Sequence, residues 1–232
     1  MSNESQNKNS KFGLYMAMGV GAVAVGFSIA AIPFLTPALR THALPYVPAT
    51  TKQIDNVFKA VQKFSTSKNI SKLQPSKQNV VKLVDLGSGD GRIVFDAAKR
   101  GFHATGVELN AMLYLYSKFK TLTSWKTDAN LFKPVFRRAN FWNINMGEYD
   151  LIIVFGVQGM MRDLASKLKE EMKPDCLIVS CRFPISSYKS IYRLEDELDG
   201  VWLYDKECLN NLIEEEKKPE SKQPQDDDDD DD

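Results

Sequence analysis

The chain has 232 residues, 43% of them hydrophobic, and equal numbers of basic and acidic residues, 30 of each. The zero is a cancellation: residues 226–232 are seven consecutive Asp, and up to residue 212 there are 27 basic against 19 acidic groups, a surplus of +8. This composition excludes a globally disordered chain, and three cysteines exclude a disulfide-stapled scaffold.

After a short leader, residues 1–11, positions 12–39 form a run of 28 residues without a charge, bounded by Lys11 and Arg40. About 20 apolar residues span a bilayer's hydrocarbon core, whereas a secretory signal has an apolar stretch of only about 7–15. The run predicts a single-pass transmembrane and targeting segment, with Pro33 and Pro37 ending its helix. Residues 40–75 read as a connector holding one amphipathic helix. Thr50 and Gln53 have the spacing of a capping box, and Ile54, Val57, Phe58 and Val61 follow at helical intervals.

The catalytic domain is expected over 76–212, with 213–232 a disordered acidic tail. Residues 80–86 (VVKLVDL) read as a buried strand running into Gly87-Ser88-Gly89-Asp90-Gly91 and a helix ended at Gly101. Residues 103–109 (HATGVEL) form the next strand, with Glu108 near its end and Asn110 capping a helix that carries Leu113, Tyr116, Phe119 and Lys120. A strand, loop, helix and strand in about 30 residues imply a right-handed crossover and a parallel sheet.

Two ligand classes compete for the glycine loop. A dinucleotide site uses G-x-G-x-x-G; here the third glycine comes one residue early and Arg92 stands where that pattern wants glycine. Asp85 and Asp90 flank the loop, where they would repel a pyrophosphate but suit a ligand bearing an ammonium and a sulfonium. S-adenosyl-L-methionine is such a ligand. Glu108, 21 residues beyond Gly87, lies where either nucleotide's ribose hydroxyls would sit.

Further strands are expected at 134–139, 149–155 (YDLIIVF) and 176–183 (CLIVSCRF). The methionine-rich stripe Met160, Met161, Leu164, Leu168 and Met172 reads as core. Asp199-Gly200 is placed at the turn of a terminal hairpin. Ligands of doubly wound sheets lie beyond the strands' carboxyl ends, so the acceptor belongs near Phe155, Gln158, Arg182, Phe183 and Pro184. Cys176 and Cys181 fall on opposite faces of one strand, and with Cys208 they make no metal-ligand spacing. Arg137-Arg138 read as a solvated basic face rather than a nucleic-acid site. Neither His42 nor His103 is placed to act as a base.

The motifs V-D-L-G-S-G-D-G-R-I-V, V-E-L-N, F-G-V-Q-G-M-M, C-R-F-P and V-W-x-Y-D together resemble the small mitochondrial protein-lysine methyltransferases. That family includes the enzymes modifying the c subunit of ATP synthase and the adenine nucleotide translocase. The resemblance covers roughly residues 12–206. It implies an α/β class I, Rossmann-like methyltransferase fold and methyl transfer to a lysine of an inner-membrane protein. It also implies that the catalytic domain lies on the matrix side of the inner mitochondrial membrane. Both substrates stay open, with the anchor tilting towards the c subunit. The alternative is a membrane-anchored small-molecule or lipid methyltransferase. In class I methyltransferases the end of the third strand offers a polar side chain to the adenine edge and an apolar one to its ring; Asn140 and Phe141 resemble that pair.

Overall fold

The computed structural model describes residues 48–67, 73–76, 78–125, 131–185, 187–196 and 198–211, with seven further positions between 16 and 25. The elements alternate as the crossover pattern requires: α1 (Thr51–Ser67), β1 (Lys82–Leu86), α2 (Arg92–Lys99), β2 (His103–Glu108), α3 (Ala111–Ser124) and β3 (Val135–Arg138). Two 3-10 turns, Phe141–Asn143 and Met146–Glu148, lead to β4 (Leu151–Phe155), α4 (Gln158–Glu171) and β5 (Leu177–Cys181). The chain closes with β6 (Tyr192–Leu194), β7 (Val201–Tyr204) and the short α5 (Lys206–Asn210).

The seven strands form one sheet in the order β3-β2-β1-β4-β5-β7-β6. β1 to β5 are parallel, while β7 runs antiparallel to both β5 and β6. The central strands are largely apolar, with Leu83, Val84 and Leu86 of β1 and Leu151 to Val154 of β4 all buried, because both faces of the sheet are covered. One core contains Leu83, Ile153, Val179 and Leu203 with the inner faces of α1 and α2. The other contains Val84, Ile152 and Ile178 beneath α4, whose Met161, Leu164 and Leu168 are buried together with Met172 at its end. Cys181 belongs to the first core and Cys176 to the second, so the two thiols are separated by the sheet as the spacing required.

α1 packs as an integral layer, burying Val57, Phe58, Ala60, Val61 and Phe64. Its expected capping box forms only by half. Thr50 Oγ1 accepts from the Gln53 N–H at 3.0 Å, but the Gln53 side chain donates to the Gly200 carbonyl at 3.2 Å. Asn56 Nδ2 donates to the Asp199 carbonyl at 3.1 Å, and the Thr50 hydroxyl donates to the Asp199 carboxylate at 2.7 Å. A buried Gln53 gains more by satisfying a buried carbonyl than by a local cap that water could replace. The terminal hairpin differs in the same place. Tyr192 pairs with Leu203 and Leu194 with Val201, so six residues rather than two separate the paired strands, and Asp199 and Gly200 among them are clamped to α1.

Among the described residues no helix is long and apolar enough to cross a membrane. Most of the apolar run at 12–39 and all of the tail at 213–232 lie outside those residues.

Candidate active site

The parallel register brings the ends of β1, β2, β3, β4 and β5 to one edge of the sheet. Asp85, Glu108, Asn140, Phe155 and Arg182 all follow from that alignment. The glycine loop leaves β1 with Gly87 and Ser88 both donating to the Val107 carbonyl, at 2.9 and 3.0 Å. Gly87, Gly89 and Gly91 have φ of 80, 54 and 80°, where a side chain is strained. Space is equally restrictive at Gly91, where a Cβ would stand 2.6 Å from the Phe136 ring. The close approach of loop to sheet therefore depends on glycine at this point.

Glu108 is the hinge of the site. One carboxylate oxygen accepts from the Gly89 N–H at 2.8 Å and the other from the Asn110 N–H at 2.7 Å. Both oxygens retain free lone pairs on a carboxylate whose orientation is already set, as a ribose diol requires. Asn110 also caps α3, its Oδ1 accepting from Met112 at 2.9 Å and Leu113 at 3.3 Å.

Asp85 is only 2% exposed, and its Oδ1 has no hydrogen-bond partner among the described residues; the Ser88 hydroxyl is buried and unpaired there as well. Burial, reinforced by the negative charges of Glu108 and Asp90, pushes the Asp85 carboxyl up to about 8. Buried polar atoms are nearly always satisfied, so two orphans beside a glycine cradle mark a place for a polar ligand. Three clustered carboxylates specify that ligand's sign as positive. Asp90 contributes to this field while its carboxylate faces Arg92, at 2.7 Å from Nε.

Past β3, Asn140 is exposed and its Oδ1 accepts from the Trp142 N–H at 3.1 Å, while Phe141 is half-buried against Trp142 with ring centroids 5.0 Å apart. Of the residues expected near the acceptor, Phe155 is half-buried at the end of β4 and Gln158 is exposed at the start of α4. Arg182 follows β5 with φ of 69°, a left-handed backbone that favours glycine, and its buried Nε has no partner among the described residues. Phe183 is 38% exposed and Pro184 is exposed beside it. His103 begins β2 and so lies at the opposite edge, about 16 Å of strand from Glu108. No group of three metal-ligating side chains occurs among the described residues.

Comparison with known proteins decides the family. A family model described as the ANTKMT methyltransferase domain matches residues 85–191, and the model for the N-terminal domain of ATP synthase c-subunit lysine N-methyltransferases matches residues 9–40. The ATP synthase c-subunit lysine N-methyltransferase of Caenorhabditis elegans is 39% identical over 198 residues, covering 84% of this chain and 97% of its own length. The chain belongs to this family of protein-lysine N-methyltransferases. The Homo sapiens protein of the same name is 37% identical, over 85% of this chain and 77% of its own. The adenine nucleotide translocase lysine N-methyltransferase of Mus musculus is 30% identical, over 74% and 69%. The fold is shared with an RNA methyltransferase from Salinibacter ruber solved with S-adenosyl-L-homocysteine, at a TM-score of 0.57, 20% identity, and coverage of 72% of this chain and 97% of that one.

The cofactor of this lysine methyltransferase is S-adenosylmethionine, and the cradle fits it: a cationic ligand there would meet the carboxylates of Asp85 and Glu108 beside the glycine loop. Some supporting residues were not apparent in the sequence. Ser117 on α3 donates from its hydroxyl to the Gly89 carbonyl at 3.2 Å, and Gly106 leaves room for Ser88, whose Oγ would stand 2.6 Å from a Cβ there. A serine amid apolar helix positions was the only available sign of the first.

Proposed function

We propose that this chain methylates a lysine of the ATP synthase c subunit, held at the inner mitochondrial membrane by residues 12–39 with its catalytic domain on the matrix side. What carries the reading is that a segment outside the catalytic domain, residues 9–40, matches the N-terminal domain named for that enzyme. The similarity of the C. elegans enzyme over 97% of its own length supports the same substrate.

Asp85, Gly87, Ser88, Gly89, Asp90, Gly91 and Glu108 form the cofactor side, with Asn140 and Phe141 at the adenine end. When bound, S-adenosylmethionine supplies the electrophilic methyl group, and the protein's task is alignment. Phe155, Gln158, Arg182, Phe183 and Pro184 line the acceptor side, at the ends of β4 and β5. The amine must approach unprotonated; for a lysine of ordinary pKa at about pH 8 that costs about 3 kcal/mol. Contact with Phe155 and Phe183 would favour the neutral amine over its ammonium form. The cation of Arg182 at the same edge acts in the same direction.

The test is methyl transfer from labelled cofactor by the detergent-solubilised full chain to solubilised inner mitochondrial membranes. Label should appear in the c-subunit band as methylated lysine. Label in the translocase band or in the organic extract would sink the assignment.

A further inference from the structure

The outward face of α3 is built opposite to what a buried helix shows. Ser117 and Thr121 point inward, while Leu115, Phe119 and Leu122, at spacings of four and three, are 56, 64 and 73% exposed. Leu109 and Tyr116 extend the same patch at 54 and 52%. The inversion has a local cause. At Ser117 the inner face sits against the glycine loop, where a Cβ at Gly91 would lie 3.1 Å from the Ser117 hydroxyl, so only a small side chain fits at that position. The cause explains why Ser117 faces in. It does not explain large apolar residues facing out, since contiguous exposed apolar surface ordinarily marks an interaction site.

Charge selects the partner. No acidic residue occurs from Leu109 to Ser124. Lys118 on α3, Lys133, and Arg138 on the neighbouring edge strand are all exposed, and Lys120 lies over the Phe95 and Tyr116 rings at 4.8 and 5.9 Å. An apolar helix face rimmed by cations suits an anionic bilayer surface. It suits a second copy of this chain poorly, because face-to-face pairing would set like charges together.

The route of the chain agrees. The uncharged run ends at residue 39, and the eight positions 40–47 can reach at most about 29 Å before Pro48. The Ala49 carbonyl then accepts from Arg92 Nη1 at 3.0 Å, and Arg92 adjoins the Gly91 on which α3 packs. Within the run Met16, Met18, Val20, Val23 and Val25 are exposed, so these side chains do not cover α3.

We propose that α3 lies in the headgroup region of an anionic bilayer, with Leu115, Phe119 and Leu122 among the acyl chains and Lys118 and Arg138 at the phosphates. The catalytic domain is thereby held in one orientation, with the carboxyl edge of its sheet close to the membrane that contains the substrate. The inference rests on the anchor reading, which the experiment tests separately. A photoreactive benzoylphenylalanine is introduced in the full chain at Phe119, and in a second protein at Lys169, an exposed residue of α4. Each is reconstituted with phosphatidylcholine vesicles containing phosphatidylglycerol, and S-adenosylhomocysteine binding verifies the fold.

Both proteins should float with the vesicles. Acyl-chain adducts should be several-fold more abundant from position 119 than from 169, and Lys118→Glu should lower that excess. Flotation without the excess, or adducts from position 119 to a second copy of the chain, overturns the α3 placement and leaves the anchor standing. Adducts from 119 to an integral protein instead of lipid, when inner mitochondrial membranes replace the vesicles, also overturn it. Failure to float overturns the anchor and this inference together.

Discussion

Replacing Asp85 by Asn separates stability from function. The carboxyl is fully buried, has an oxygen without a partner among the described residues, and is pushed up to about 8 from an ordinary 3.8. Between those two values the folded chain binds a proton that the unfolded chain has lost, so stability falls as pH rises through that window. At about pH 7 the unfolded state is favoured by roughly three pKa units, about 4 kcal/mol. Asn cannot ionise and escapes that loss, although its amide inherits the unmade hydrogen bonds, worth about 1–3 kcal/mol. The net expectation is a cofactor-free Asp85→Asn protein about 1–3 kcal/mol more stable near neutrality, or several degrees in Tm. The same variant should bind S-adenosylmethionine far more weakly, having lost the charge that faces the cation. Thermal melts of the full chain in detergent from about pH 5 to 8, with and without cofactor, would show this. Wild type should lose stability across that range without cofactor, and the variant should lose much less. A variant that melts below wild type throughout, or keeps the same slope, would refute the reasoning.

Three other outcomes follow from the geometry. Glu108→Gln keeps one acceptor for the two loop amides but loses the charge; at about 1.5–3 kcal/mol for a charged hydrogen bond, cofactor affinity measured by calorimetry should fall roughly ten- to a hundredfold. Gly91→Ala puts a methyl 2.6 Å from the Phe136 ring at φ of 80°, and should lower Tm by several degrees, with cofactor binding lost in proportion to loop displacement. Asn56→Ala leaves the Asp199 carbonyl without its side-chain donor, costing about 1–3 kcal/mol by chemical unfolding, while leaving cofactor affinity near wild type because the clamp lies away from the glycine loop.

How much could be read in advance depended on the range of the interaction. The alternation of strands and helices, the Asn110 cap and the methionine-rich inner face of α4 are local patterns, and all appear where periodicity placed them. The Gln53 side chain went elsewhere because its partner, the Gly200 carbonyl, is 147 residues away. The hairpin loop opened for the same reason, since its backbone is satisfied by α1 rather than by a tight turn. The face of α3 was the least legible element. Leu115, Phe119 and Leu122 have the spacing of a core stripe, yet it is Ser117, held against the glycine loop, and Thr121 that are buried.

The +8 of the body with its compensating tail, the uncharged run at 12–39 and the glycine loop followed by Glu108 are properties of sequence, because each depends on composition or on spacing within one crossover. Tertiary structure decided the rest. It brought Glu108 onto the Gly89 amide, enclosed Asp85 among like charges until its proton was held to about 8, and turned an apolar helix face outward. Those outcomes depend on which chain segments share space, and that is set by packing between elements distant in sequence.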